Sequence, residues 1–184
     1  NQPQTLLIQC PRRKAGSYPV PNSVTAIENA AFLNCTELSD VTIPNSVTRI
    51  GSSAFSLCTS LTSITIPDLV NRIEDATFQS CDRLTSVTIP GSVTSIGDNA
   101  FHSCSSLTSI TIPNSVTSVG NSAFDSCTSL TNVTIGNSVT RIGNWAFGRC
   151  FRLTSITIPR NVTNIDYAAF SNCGNMTSLH FQGN

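Results

Sequence analysis

The sequence repeats itself every 23 residues, and this period constrains the fold more than any other feature of the chain. Phenylalanine recurs at this interval without exception, at Phe32, Phe55, Phe78, Phe101, Phe124, Phe147 and Phe170. Cysteine keeps the same interval, at Cys35, Cys58, Cys81, Cys104, Cys127, Cys150 and Cys173. A unit of this length cannot bury an apolar face alone. The pattern therefore predicts units that stack and bury that face against one another.

The unit that spans residues 107–127 shows how each turn of the stack is built. Ile110 and Ile112 alternate with polar residues, which is typical of a β-strand, and Pro113 ends that strand because proline cannot donate to a sheet. A polar turn and a short second extended piece follow. Residues 122–127 then place three apolar side chains at helical spacing, which predicts one turn of helix at most.

This unit resembles the BspA-like, or treponemal, class of leucine-rich repeats. The resemblance depends on Leu107, on Pro113 after the two isoleucines, on Gly120 followed two residues later by Ala-Phe, and on Cys127. It implies a leucine-rich-repeat solenoid, a right-handed β/α superhelix rich in β-structure, with about seven coils of 23 residues. It further implies a concave parallel β-sheet, with short extended or 3-10 segments on the convex side.

The function implied by the resemblance is adhesion. Members of this class resemble bacterial or protozoan surface and secreted proteins that adhere to host proteins or neighbouring cells. The expected function is therefore a non-enzymatic protein-interaction module, at the cell surface or secreted, whose partner is an extracellular-matrix or cell-surface protein. A structural or self-associating scaffold without a dedicated ligand, and a glycan-binding concave face, are the alternatives.

The first 17 residues are predicted to form an N-terminal cap. Residues 8–11 and 18–21 both resemble the proline-ended repeat strand, but about ten residues between their prolines are too few for a parallel crossover. We therefore expect residues 5–10 to turn back and pair antiparallel with the first repeat strand. The basic residues 12–14 would then lie at the solvated tip of this hairpin.

The repeat array is predicted to span residues 18–184 as a single domain. The sequence reaches Phe181 without a polar capping element, which leaves a strand edge and the apolar columns open at that end. A truncated chain and a homodimer formed through this open end are the two interpretations.

Composition argues against several kinds of partner. Ten basic residues balance ten acidic ones, so the chain has no net charge and no long-range field that would attract nucleic acid. No apolar run approaches the roughly 18 residues that a membrane span requires, so no membrane insertion is expected.

Residues with catalytic or metal-binding chemistry do not form the patterns that such chemistry requires. The repeat cysteines lack the short spacing of a zinc site, so we expect buried reduced thiols, no metal and no cofactor. His102 and His180 fall on different faces and three coils apart, which separates them too far for nucleophilic catalysis. Acidic residues such as Asp125 are interpreted as solvated surface groups, and no enzymatic activity is predicted.

Two surfaces are candidate protein-binding sites. On the concave sheet, the outward position between the inward apolar residues is threonine in most coils and histidine in the last, including Thr111, Thr134, Thr157 and His180. Near the C-terminus, aromatic residues and arginines replace the small polar residues of other coils, a composition typical of interaction hot spots. These residues are Trp145, Arg149, Phe151, Arg152, Arg160 and Tyr167.

Overall fold

The computed structural model describes residues 5–11 and 14–183, which form a solenoid of parallel β-strands without a helix among these residues. Each turn contributes one main strand: β2 (Gly16–Pro19), β4 (Leu38–Thr42), β6 (Ser63–Thr65), β8 (Ser86–Thr88), β10 (Ser109–Ile112), β12 (Asn132–Ile135), β14 (Ser155–Ile158) and β16 (Ser178–Phe181). A two-residue strand precedes each main strand: β1 (Leu6–Leu7), β3 (Ala26–Ile27), β5 (Arg49–Ile50), β7 (Arg72–Ile73), β9 (Ser95–Ile96), β11 (Ser118–Val119), β13 (Arg141–Ile142) and β15 (Asn164–Ile165). The predicted solenoid is confirmed, with about eight turns where the sequence predicted about seven.

The main strands follow the register that the repeat predicts. In β10 and β12, Ser109 lies opposite Asn132 and Ile112 lies opposite Ile135, so equivalent residues of successive turns are neighbours. The main strands are hydrogen-bonded in four parallel pairs, and the short strands form a three-stranded and a five-stranded sheet. Along each main strand, apolar side chains point into the core while Ser and Thr are exposed on what we call the strand face.

The segment that follows each short strand forms what we call the turn face, and it is not helical. Two positions in each of the seven turns after the first have positive φ, at Ala30, Asn34, Ser53, Leu57, Ala76, Ser80, Asn99, Ser103, Ser122, Ser126, Trp145, Arg149, Ala168 and Asn172. Backbone N–H groups here alternate in direction: Phe124 donates to Ala146 of the next turn at 2.7 Å, whereas Asp125 donates back to Ser122 at 3.2 Å. Hydrogen bonds between stacked turns therefore satisfy backbone N–H groups that hydrogen bonds within the predicted helical turn would otherwise have satisfied.

The core is a continuous column of phenylalanine rings. From Phe32 to Phe170, neighbouring ring centroids lie 4.8–5.6 Å apart and their planes differ by at most 13°. Beside this column, each repeat thiol from Cys58 onward donates to the phenylalanine carbonyl of the preceding turn, at 3.1–3.3 Å. Each turn therefore completes the core of its neighbour through both ring stacking and thiol hydrogen bonds.

The predicted antiparallel cap hairpin is wrong. β1 pairs parallel with β3, and β2 pairs parallel with β4, so the N-terminal segment is a shortened first turn of the same solenoid. The N–H of Cys10 donates to Ala31 O at 2.7 Å, as the N–H of Phe32 does to Ala54 one turn later. Residues 8–11 thus lie on the turn face, half a turn before β2. The roughly ten residues between Pro11 and Pro21 therefore need to span only half a turn, and they are enough for that. The predicted hairpin tip includes residues 12 and 13, which lie outside the described residues.

Tyr18 covers the start of the phenylalanine column. Cys10 occupies the position of a core phenylalanine in this first turn and is too small to stack on Phe32. The Tyr18 ring meets Phe32 edge-on instead, with centroids 5.4 Å apart and planes at 78°.

Candidate functional site

Two large side chains on the turn face occupy backbone positions that small residues fill in most other turns. Trp145 has φ of 56° and Arg149 has φ of 53°, and left-handed backbone is uncommon for bulky residues. The turn before them carries serine at both positions, Ser122 and Ser126. Inter-turn hydrogen bonds hold this backbone, since the Trp145 N–H donates to Tyr167 O at 3.1 Å. The fold thereby retains a tryptophan at a position that disfavours it.

A buried carboxylate fixes Arg149. Its Nε donates to Asp125 Oδ1 at 3.0 Å and its Nη2 donates to Oδ2, which makes the pair bidentate. Asp125 is only 3% exposed, and its hydrogen bond raises the pKa of Arg149. The guanidinium carbon lies 5.9 Å from the centroid of the Trp145 ring, within the range of a cation–π contact. Asp125 thus sets the position of Arg149, and Arg149 stacks on Trp145.

A glycine makes room for this arrangement. A Cβ added to Gly148 would lie 2.7 Å from Cε3 of Trp145 and 2.9 Å from Oδ1 of Asp125. The equivalent residue in the preceding turn is Asp125 itself, so the sequence changes from aspartate to glycine where the indole packs. Gly148 is required here because of close approach.

His102 also lies beside the buried carboxylate of Asp125. Its Nδ1 lies 3.4 Å from Asp125 Oδ2 and is buried without a hydrogen-bond partner among the described residues. The interpretation of Asp125 as a solvated group is therefore wrong: it is buried between an arginine and a histidine. Sequence reasoning missed this pairing, although Arg149 follows Asp125 by 24 residues, one repeat plus one residue.

The exposed part of the site is aromatic. Tyr167 is 78% exposed and Phe151 is 47% exposed, and the N–H of Phe151 donates to Arg149 O at 3.0 Å. We call Trp145, Arg149, Phe151 and Tyr167 the turn-face cluster. It combines apolar rings with one fixed guanidinium, which are the residue types of interaction hot spots.

The two other predicted arginines, Arg152 and Arg160, lie at opposite ends of β14. Arg152 follows Phe151 directly, is exposed, and forms no ion pair with any described residue. Arg160 follows β14 at the opposite end of the strand, where it lines a shallow depression with Asn137, Gln182 and Gly183. The structure therefore places Arg152 beside the turn-face cluster and separates Arg160 from it.

The predicted strand-face residues form a regular row. Thr111 pairs with Thr134 in register, Thr157 pairs with His180, and all four side chains are exposed. No aromatic or arginine side chain lies within this row. Its chemistry is a repeated hydroxyl surface with an imidazole at one end, which offers hydrogen bonds and little apolar area.

Neither surface has the geometry of a metal centre or of a membrane span. Residues 5–11 and 14–183 contain no group of three or more His, Cys, Asp or Glu side chains that could hold a metal ion. No helix long and apolar enough to cross a membrane occurs in the same residues. The turn-face cluster offers stacking, apolar burial and N–H donation, which is the chemistry of recognition.

The repeats match a known family, and the fold matches solved structures. The BspA type leucine rich repeat region matches residues 13–127 and 94–184, in six copies. A leucine-rich repeat protein from Bacteroides ovatus is 35% identical, with a TM-score of 0.86 over 90% of this chain and 45% of that one. The T. pallidum leucine rich repeat protein is 31% identical, with a TM-score of 0.83 over 87% of this chain and 77% of that one.

A leucine-rich repeat protein from Eubacterium ventriosum is 26% identical, with a TM-score of 0.85 over 94% of this chain and 47% of that one. The chain thus spans less than half the length of the Bacteroides and Eubacterium proteins. No curated protein sequence matches the chain.

Proposed function

Because the chain belongs to the BspA-type leucine-rich repeat family, we propose that it is a non-enzymatic protein-interaction module that adheres to a protein of a host or of a neighbouring cell. The partner is an extracellular-matrix or cell-surface protein, and the module acts at the cell surface or in secreted form. The family resemblance supports the location and the class of partner. The structure supports the surface that makes the contact.

The observation that carries this proposal is the turn-face cluster. Tyr167 and Phe151 expose 78% and 47% of their surface, beside a tryptophan that the backbone holds in a disfavoured conformation. Aromatic side chains with an arginine at one patch are enriched at protein interfaces and supply most of the binding energy there. The backbone cost at Trp145 supports a role in function, since strained residues cluster at binding and active sites.

The strand face supports glycan binding less well. Its exposed threonines repeat with nearly identical surroundings in successive turns, so no single position of the row is distinguished as an anchor. A regular threonine row is also what β-propensity and cross-strand contact favour in any parallel sheet.

A self-associating scaffold is the second candidate, and the last turn favours it. Ile165, Leu179 and Phe181 occupy repeat positions that are buried in the preceding turn, yet they are 39%, 39% and 65% exposed, so apolar area is uncovered in the last described turn. Light scattering over a concentration series separates the two functions. A dimer that Phe181→Asp converts to a monomer, together with no capture of any matrix protein, would replace the adhesion proposal by self-association.

The test of the adhesion proposal is capture of purified extracellular-matrix proteins by the immobilised full chain. The variant Phe151→Thr/Tyr167→Asn installs the residues of the preceding turn, Thr128 and Asn144, and should therefore keep the fold. We expect this variant to lose at least tenfold in affinity, as removal of hot-spot aromatics does.

Leu57→Ser is the matched control, because Leu57 is an exposed apolar side chain on the turn face, four turns from Arg149 at the same repeat position. It should bind as the unchanged chain does. Equal binding by the double variant would remove the turn-face cluster from the proposal. Loss of binding in Thr111→Arg alone would move the site to the strand face.

A further inference from the structure

The zero net charge of the chain hides a strong segregation of charge along the solenoid. Residues 28–125 carry nine acidic side chains and three arginines, whereas residues 126–184 carry four arginines and one acidic side chain, Asp166. The turn-face cluster lies in the basic part. Charge acts over roughly 10 Å at moderate salt. Because Asp125 offsets Arg149 and Asp166 offsets Arg141, a partner at the cluster experiences mainly the charge of Arg152.

Ion pairs leave one free arginine next to the cluster. Arg141 pairs with Asp166 at 2.6 Å, and Arg149 is held by Asp125. Arg160 lies at the other end of β14. Arg152 is exposed, directly follows Phe151 and has no ion-pair partner in the described part of the chain. Its guanidinium is therefore available to a carboxylate brought by a partner.

The aromatic rings limit which acidic partner fits. Phe151 and Tyr167 offer apolar area that gains free energy only when apolar groups cover it. A sulfated or carboxylated glycan of high charge density requires several clustered cations, and Arg152 is the one unpaired arginine beside these rings in the described part of the chain. A peptide supplies both carboxylates and apolar side chains at short spacing, so it matches one arginine next to exposed rings.

We infer that the turn-face cluster and Arg152 together bind an acidic peptide segment that carries apolar side chains between its carboxylates. This inference rests on the proposed protein-binding function and names the partner chemistry. A carboxylate of the segment meets Arg152, one of its apolar side chains packs on Phe151, and another packs on Tyr167. Arg149 keeps its pairing with Asp125 and holds Trp145 in place.

The experiment measures fluorescence anisotropy of labelled twelve-residue peptides with the full chain, at about 50 mM and about 300 mM NaCl. Three peptides share one length: Glu and Asp interleaved with Phe, the same acidic residues interleaved with Ser, and Lys and Arg interleaved with Phe. Heparin is the fourth probe. We expect the acidic Phe peptide to bind most tightly and to lose at least threefold in affinity at the higher salt.

Two charge reversals at the same repeat position provide the matched pair. Arg152→Glu should weaken the acidic Phe peptide at least tenfold. Arg83→Glu, an exposed arginine three turns earlier and far from the aromatic rings, should change it less than twofold. Equal effects of the two reversals would overturn the inference, as would tighter binding of the basic peptide or of heparin.

The result also separates this inference from the function it rests on. If Phe151→Thr/Tyr167→Asn abolishes capture of a matrix protein while no acidic peptide binds, the adhesion proposal stands and the acidic-segment inference fails. If the acidic Ser peptide binds as tightly as the acidic Phe peptide, the rings make no contact, and the inference fails at that step.

Discussion

The middle of the solenoid and its last turn are built from the same repeat, yet the same residues differ in their chemistry. Phe124 and Cys127 are fully buried, whereas Phe170 and Cys173 are only partly buried. Burial raises the pKa of the Cys127 thiol, and the partly buried Cys173 lacks the full desolvation that causes this shift. The position in the repeat therefore determines which side chain is present, whereas the presence of a turn on both sides determines how deeply that side chain is buried.

The largest expected effect is at alkaline pH and comes from the middle of the solenoid. Burial raises the pKa of Cys58 from 9.0 to about 12, and it also raises those of the Cys81, Cys104 and Cys127 thiols. The unfolded chain releases these protons above about pH 9 while the folded chain keeps them, so stability is complete below that pH and is lost as pH rises.

Each such thiol contributes a slope of about 1.4 kcal/mol per pH unit, so urea unfolding between about pH 9 and pH 11 should show a steep loss of stability. Cys127→Ala should lower the slope by the contribution of one thiol, about 1.4 kcal/mol per pH unit. Cys173→Ala should lower it less, because Cys173 is only partly buried. Identical slopes in the two variants would contradict the contrast between middle and end.

The second effect tests the phenylalanine column. Phe101→Ala removes a ring that stacks on both sides, at 5.2 Å from each neighbour, and should cost about 3–5 kcal/mol. Phe170→Ala removes a partly buried ring with one stacked neighbour, Phe147, and should cost less than half as much. Urea unfolding of both variants measures the difference. Equal costs would show that the last turn is buried in solution.

The smallest effect concerns two glycines. Gly148→Ala places a methyl group 2.7 Å from the Trp145 ring and 2.9 Å from Asp125, and should cost about 1–3 kcal/mol. Gly174→Ala, in the last turn, meets nothing within 4 Å and should be nearly neutral. Trp145 is the one tryptophan of the chain, so its emission reports the displacement directly. An unchanged emission spectrum in Gly148→Ala would contradict the packing described here.

Much of the fold could be predicted from the sequence, because its period places equivalent residues on neighbouring turns. The strands, the inward isoleucines and the phenylalanine column all follow from that placement. The turn face could not be predicted, because its positive-φ positions mostly carry alanine, serine, leucine, tryptophan and arginine, which do not signal that conformation, and asparagine, which does, occurs at only three of the fourteen. The N-terminal turn was misjudged because residues 8–11 have the pattern of a main strand but lie on the turn face.

The sequence predicted the exposed residues of the candidate site but not the buried residues that hold them in position. Trp145, Phe151 and Tyr167 stand out because they replace small polar residues of other turns. Asp125 and Gly148 do not stand out, since their roles depend on which side chains meet across two adjacent turns. Arg149 and Asp125 are 24 residues apart, one more than the 23-residue period. The period alone pairs residues 23 apart and so does not predict this contact.

The inter-turn hydrogen bonding of the turn face has a consequence for how such a chain can change over generations. Because the phenylalanine N–H of each turn from Phe32 to Phe147 donates to the next turn in the same way, deleting or duplicating one 23-residue unit in the middle would leave the remaining turn-face junctions intact. The distance from the N-terminal turn to the turn-face cluster would then change in steps of about 4.8 Å, the spacing between strands. The length of the solenoid can therefore be adjusted in discrete increments without altering the cluster.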